Sequence, residues 1–320
     1  MAHKQLTREQ RYHLYNMLQT DLKQYQMANI LGVDPSTISR ELKLNSGTRG
    51  NYLKNAHYLT LARRKGKVKP RISVEHWARV DYWLQQEFSP EQVSDWLETR
   101  EDIYISHEWI YQHIKKDKRA GGTLHKHLRG KPSHRKKYGS TWNKNVLGER
   151  QTIEERPEFI NQRKFYGDWE VDTMIGRQGG AVLVTLVERK SKLCLIGLSA
   201  RKTAQAVKET MLKLLGTLSS FVHTLTYDNG PEFAEHREID KELECQAYFA
   251  RPYCSGDRGL NENTNGLIRQ YLPKRSSFDD VKQSRIDFIM HRLNNRPRKT
   301  LNVRTPNEVF YKGTNIAFNS

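Results

Sequence analysis

Gly167-Asp168-Trp169-Glu170-Val171-Asp172-Thr173-Met174-Ile175-Gly176 alternates acidic with apolar side chains from Asp168 to Asp172 and ends on a glycine. A period of two is that of a β-strand, so Asp168, Glu170 and Asp172 share one face. Carboxylates within a strand are costly to bury unless they are paired or hold a cation. Outward from this segment, residues 181–189 and 193–200 read as two more strands, with Gly179-Gly180 and Lys190-Ser191-Lys192 as turns. An amphipathic helix over 204–218, a strand over 224–228, a helix over 231–242 and a strand over 245–250 follow, and then a helix that carries Glu262. The order β-β-β-α-β-α-β-α predicts a mixed five-stranded sheet flanked by helices, because hairpins can link the first three strands whereas the later ones need crossovers.

Asp228 ends the fourth strand in Tyr227-Asp228-Asn229-Gly230-Pro231-Glu232-Phe233, and Glu262 opens a helix in Asn261-Glu262-Asn263-Thr264-Asn265, with 33 residues between the two acids. If Asp172, Asp228 and Glu262 converge, their oxygens suit hard cations, Mg²⁺ or Mn²⁺. Two such ions activate the attacking oxygen and stabilise the leaving one in phosphoryl transfer, without a nucleophilic side chain. Asn265 and Arg269 fall on one face of the same helix and could address DNA held there. Taken singly, each acid also reads as a cap, a turn residue or a surface charge, and Asp168 and Glu170 compete with Asp172 as the first ligand.

The 320-residue chain carries a formal charge of +18, with a mean hydropathy of −0.82. Residues 181–187, the longest aliphatic run, fall far short of the roughly 20 needed to span a bilayer, and the first residues carry no apolar signal core. A membrane protein is therefore not expected. Cys194, Cys245 and Cys254 form no CxxC pair, which disfavours zinc and a disulfide framework and points to a reducing cytosol. Residues 1–150 hold 28 basic against 15 acidic groups, and residues 151–320 hold 26 against 21. Such a front-loaded surplus suits a polyanion, nucleic acid above all, and equally a solvated charged surface.

Helices are expected over 8–18, 22–31 and 36–44, begun by Thr7, Asp21 and Pro35, with Gly32-Val33-Asp34 between the last two. Leu14, Leu18, Met27, Ile30, Leu31, Val33, Ile38 and Leu42 recur at helical spacing, which gives a helix-turn-helix pattern. Its third helix offers Ser36, Thr37, Ser39 and Arg40 to phosphates or base edges. A second helical unit, with segments from Val74 to Phe88, from Pro90 and from Ser106, reads either as another helix-turn-helix or as a bundle that connects two domains. Residues 118–150 lose all periodicity and carry ten Lys or Arg with Glu149 as the one acid. Within them Arg135, Lys136 and Lys137, near Tyr138 and Trp142, could track a phosphate backbone. His125 and His127 lack the further ligands that a metal site needs.

These motifs resemble those of a known family, the DDE transposases of the insertion-sequence-thirty type, whose catalytic core is related to retroviral integrases and ribonuclease H. The likeness rests on Tyr166 to Gly176, Thr226 to Phe233, Arg258-Gly259-Leu260-Asn261-Glu262 through Lys274, Leu293 to Leu301, Thr305-Pro306-Asn307-Glu308, and Ser36 to Leu42 at the front. It implies a multidomain protein, with N-terminal all-α helix-turn-helix units followed by an α/β ribonuclease H-like integrase core. The parts expected are a helix-turn-helix DNA-binding domain (1–55), a second helical DNA-binding domain (56–117), a basic linker (118–150) and a catalytic domain with a helical tail (151–320). The resemblance implies Asp172, Asp228 and Glu262 as catalytic residues and ligands of two Mg²⁺ or Mn²⁺ ions, and it places Arg258 and Arg269 on the DNA-facing motif, with Asn265 and Lys274 of the same stretch as further candidate DNA contacts. The partners implied are double-stranded DNA, as element inverted repeats and target, and further copies of the chain in a homodimer or larger synaptic assembly. A bacterial, cytoplasmic, nucleoid-associated protein is expected. The alternatives are a sequence-specific repressor with an inactive core, a simple metal-dependent nuclease, and a serine or tyrosine recombinase, the latter using Tyr166, Tyr227 or Tyr253.

Overall fold

The computed structural model describes residues 5–46, 55–67, 71–130, 150–251 and 254–316, and the chain divides into two units, residues 1–73 and 74–320. Arg135, Lys136 and Lys137, with Tyr138, Trp142 and Tyr253, lie outside the described residues.

In the first unit a reciprocal cap opens α1 (Arg8–Met17). The Thr7 hydroxyl accepts from the Gln10 amide at 3.2 Å, and Gln10 Oε1 accepts from the Thr7 amide at 2.9 Å. Helix α2 (Gln24–Leu31) starts after Lys23, later than the Asp21 signal suggests, and stops at Gly32, whose φ of 61° suits a residue without Cβ. Asp34 then accepts from the Ser36 amide at 2.8 Å and Pro35 takes the first position of α3 (Pro35–Asn45). Leu6, Leu14, Met27, Ala28 and Ile38 form the core. Ile30, although at helical spacing, is 62% exposed. The core is completed by Ala56 from α4 (Ala56–Lys67), a helix the sequence groups with the following segment. Beneath the apolar contacts Arg11 makes a forked, buried pair with Glu41, at 2.6 and 3.1 Å, and Asn45 donates to the same carboxylate at 2.6 Å. A fork of this kind fixes the angle between α1 and α3.

The second unit begins with α5 (Val74–Gln85), α6 (Pro90–Glu101) and α7 (His107–Arg119). α5 ends three residues earlier than its pattern suggests, because Glu87 turns to φ 65° and returns Phe88 to stack on Trp83, ring centroids 4.9 Å apart. Ser89 and Gln92 form the capping box of α6. These helices are fastened to the end of the chain. Gln92 Nε2 donates to the Pro297 carbonyl at 2.7 Å, Arg100 pairs with Glu308 at 2.9 Å, and the Tyr271 hydroxyl bonds to Glu87.

After the short α8 (Glu158–Asn161) come β1 (Asp168–Ile175), β2 (Val182–Glu188), β3 (Cys194–Ser199), α9 (Ala204–Leu215), β4 (Thr224–Tyr227), α10 (His236–Leu243), β5 (Gln246–Phe249), α11 (Gly259–Ile268), α12 (Gln283–Asn294) and α13 (Pro306–Thr314). The sheet is mixed and five-stranded as expected, in the order β3-β2-β1-β4-β5. β1 pairs antiparallel with β2 and β2 with β3, whereas β4 is parallel to both β1 and β5. Trp169, Val171, Val184 and Leu186 face one side, where α9, α10 and α13 supply Met211, Ile239 and Phe310. Met174, Leu183, Val187 and Ile196 face the other, against Leu267 and Ile268 of α11 and Ile286, Ile289 and Leu293 of α12. The helix expected over 231–242 is split by a 3-10 turn at Pro231–Phe233, which seats Phe233 on Tyr227 at 5.0 Å between centroids.

Candidate active site

β1 and β4 run side by side, and their pairing reaches Glu170 opposite Thr226. Two residues beyond that pairing come Asp172, within β1, and Asp228, just past the end of β4. One arginine joins them. Arg258, at the N-terminus of α11, places Nη1 3.2 Å from Asp172 Oδ1 and Nη2 3.6 Å from Asp228 Oδ2. Asn265, two turns along the same helix, donates from Nδ2 to Asp172 Oδ2 at 2.8 Å, and its Oδ1 accepts from the Thr185 hydroxyl at 3.1 Å. The Thr173 amide donates to Asp172 at 2.9 Å and the Gly230 amide to Asp228 at 2.9 Å.

A fourth carboxylate, absent from the sequence reading, stands close by. Glu232 is 2% exposed. Its Oε1 lies 2.8 Å from Lys202 Nζ and accepts from the Thr173 hydroxyl at 2.7 Å, and its Oε2 has no partner among the described residues. Burial pushes Asp228 up to about 6, with Asp172 and Glu232 adding to the rise and Arg258 opposing it. Asp172 is raised too, by burial first, against the pull of Arg258. Negative charge thus exceeds what Arg258 and Lys202 neutralise, and the donors are all carboxylate oxygens. Carboxylate oxygens are the ligand type that hard divalent cations take.

The three acids that alternate along β1 have separate tasks. Asp168 accepts from the Thr224 hydroxyl at 2.7 Å. Glu170, wholly buried, accepts from the amides of Leu260 and Asn261 at 3.1 and 3.2 Å, which caps α11, and it lies 3.4 Å from Arg189 Nε. Asp172 alone of the three meets the arginine that also binds Asp228. Glu262 lies half-buried in the first turn of α11, on the helix that carries Arg258 and Asn265. Among the described residues no three His, Cys, Asp or Glu side chains form a group arranged to hold a metal, so the structure joins Asp172 and Asp228 but does not bring Glu262 into a cluster with them.

Of the remaining residues singled out in the sequence, Ser36, Ser39 and Arg40 are exposed on α3 and Thr37 is half-buried. Arg269 caps the end of α11, donating to the carbonyls of Ile175 at 2.8 Å and Pro273 at 3.4 Å, and Lys274 is exposed. Tyr227 is fully buried between Phe233 and Phe249, and the Tyr166 hydroxyl donates to the Val309 carbonyl at 3.0 Å, so neither presents a nucleophile. In sequence Glu232 is not singled out, because an acid after Gly-Pro reads as an ordinary first-turn residue. Its spacing of four from Asp228 was the available signal.

Residues 2–45 match the family described as a helix-turn-helix domain. The transposase for insertion sequence element IS4351 of Bacteroides fragilis is 40% identical over 96% of this chain and 95% of its own. The transposase for IS1086 of Cupriavidus metallidurans is 32% identical over 96% and 94%, and the transposase InsI for IS30A of Escherichia coli is 35% identical over 90% and 78%. Among solved structures, the catalytic core domain of BIV integrase is similar over 46% of this chain and 95% of that one, at 22% identity and a TM-score of 0.36. No helix among the described residues is long and apolar enough to cross a membrane. With relatives matched this closely along nearly its whole length, the chain belongs to the IS30 family of insertion-sequence transposases, DDE-type enzymes with a helix-turn-helix N-terminus.

Proposed function

We propose that this chain binds the terminal inverted repeats of an insertion element through its helix-turn-helix, and that its core cuts the element ends and joins them to target DNA. The observation that carries the reading is the pair Asp172 and Asp228, each two residues beyond the last parallel pairing of β1 with β4 and both met by one arginine. Asp172, Asp228 and Glu262 are the residues that would hold Mg²⁺ or Mn²⁺. Two such ions, when bound, supply Lewis-acid polarisation of the attacking and leaving oxygens of a phosphodiester.

The chain's own residues prepare the site. Asn265 fixes one oxygen of Asp172, while the Thr173 and Gly230 amides orient the two carboxylates. Arg258 offsets the charge of the pair and, from the start of α11, could also meet a DNA phosphate. Hydrolysis of one phosphodiester frees a 3′-hydroxyl, and attack of that hydroxyl on a target phosphodiester expels a second alkoxide. Both are in-line displacements at phosphorus that one set of carboxylates can serve. Ser36, Thr37, Ser39 and Arg40 are the proposed contacts to the inverted repeat. A homodimer or larger assembly would hold two ends together.

The test is incubation of the full chain with a labelled duplex that carries an element end, with Mg²⁺ and with chelator. Nicked ends and joined products that require Mg²⁺ are expected. Binding without any cleavage in Mg²⁺ would favour a repressor instead.

A further inference from the structure

Away from the acidic pair, a cavity of about 320 Å³ lies between the start of α6, the flank of α11 and the segment that joins α12 to α13. Its walls include Arg129, Lys192, Arg298 and Lys299, against Glu91 and Asp95. Lys299 is matched by Glu91 at 2.8 Å. Among the described residues Arg129, Lys192 and Arg298 form no ion pair. Arg298 gives one Nη2 bond to the Leu293 carbonyl at 3.1 Å, and its enclosed Nε has no partner among the described residues. Two positions earlier, Arg296 is 1% exposed, with Nε and Nη1 likewise unpartnered among the described residues, and it lies 3.4 Å from Glu87.

Guanidinium groups gathered in this way disfavour one another. Arg298 is pushed down to about 10, by burial first and then by Arg296 and Arg129. Lys192 is lowered by burial first and then by Arg298 and Arg163. A helix start adds to the positive field, since Gln92 in the first turn of the 12-residue α6 lines the same cavity. Position matters as much as charge. Asn263 and Thr264 of α11 face this cavity, whereas Asn265 reaches Asp172, so one helix separates the cavity from the acids.

We propose that the cavity is an anion site that receives a backbone phosphate of the DNA strand handled at Asp172 and Asp228, with Arg298 and Arg129 closing on its oxygens. The proposal rests on the reading of the core as a DNA-processing unit. A free phosphate ion shares the same oxyanion chemistry, and the experiment has an arm for each source.

Full chain without divalent cations would be titrated with a labelled duplex over a range of salt, for wild type, Arg129→Gln, Arg298→Gln and Arg298→Lys. Each lost phosphate contact makes the slope of log affinity against log salt shallower by about 0.9. Both Gln variants are expected to show that loss, and Arg298→Lys to recover most of the slope. Should Arg298→Gln fail to fold, Arg129→Gln, whose side chain is exposed, carries the same test. Wild-type slopes in both Gln variants would overturn the proposal. In the second arm, a thermal shift with inorganic phosphate that the variants lose while their DNA slopes stay unchanged would make this a free-anion site and overturn the DNA assignment. No cleavage is scored, so a failure of the cleavage reading leaves the result distinct.

Discussion

Asp228→Asn should make the protein more stable while it removes catalysis. The carboxyl is raised from its ordinary 3.8 to about 6, by burial first and then by Asp172 and Glu232 against the pull of Arg258. At about 1.4 kcal/mol for each tenfold in proton affinity, the ionised form is about 3 kcal/mol worse placed in the folded chain than in the unfolded one. Asparagine keeps the oxygen that accepts from the Gly230 amide and discards the charge. Residual exposure of Asp228 brings the expected gain to about 2 kcal/mol at neutral pH in chelator, measured by urea denaturation. The sign follows from proton uptake. Because the folded chain binds this proton more tightly, the penalty is complete above pH 6 and fades as pH falls toward 3.8, so the advantage of the variant should shrink over the same interval. Mg²⁺ should narrow it from the other side, by stabilising wild type alone. A variant no more stable than wild type at pH 7.5 in chelator would refute the idea that the pair is held at an electrostatic cost.

Other outcomes follow from neighbouring contacts. Glu170→Gln should cost about 3 kcal/mol in urea denaturation, since it leaves Arg189 buried without its carboxylate and weakens the cap of α11. Arg11→Met should destabilise the first unit by a similar amount, about 3 kcal/mol, while Arg11→Met with Glu41→Leu should recover most of the loss, as calorimetry of the two variants would show. Arg40→Ala should leave stability within about 0.5 kcal/mol, because the side chain is exposed, and weaken binding to inverted-repeat DNA by about 1–3 kcal/mol in a gel-shift titration.

Local pattern made much of this molecule legible. The alternation from Asp168 to Asp172, the paired turns and the later change to helical period specify a mixed sheet with three hairpin-linked strands and two added by crossovers, which is the kind of sheet observed, whereas its strand order comes from the structure alone. Thr7, Gly32, Pro35 and Ser89 announce their helix ends because capping is chemistry between residues a few positions apart. What pattern does not reach is contact between distant segments. That Glu170 caps α11, 90 residues away, and that Arg258 spans two aspartates, depend on how β1, β4 and α11 meet. Glu232 joins the acidic group only because the 3-10 turn after Asp228 folds it back. Ala56 enters the first core from a helix that the sequence reading assigns to the second helical domain, because that contact joins segments far apart in the chain.

The account stands most directly on cleavage of a labelled element end in Mg²⁺ by wild type, Asp172→Asn, Asp228→Asn and Glu262→Gln, each first shown to bind that end. It predicts cut and joined products with wild type and none with the three variants, whose end binding stays near the wild-type level. Normal cleavage by any one of them, or a covalent protein–DNA adduct that survives denaturation, would contradict it.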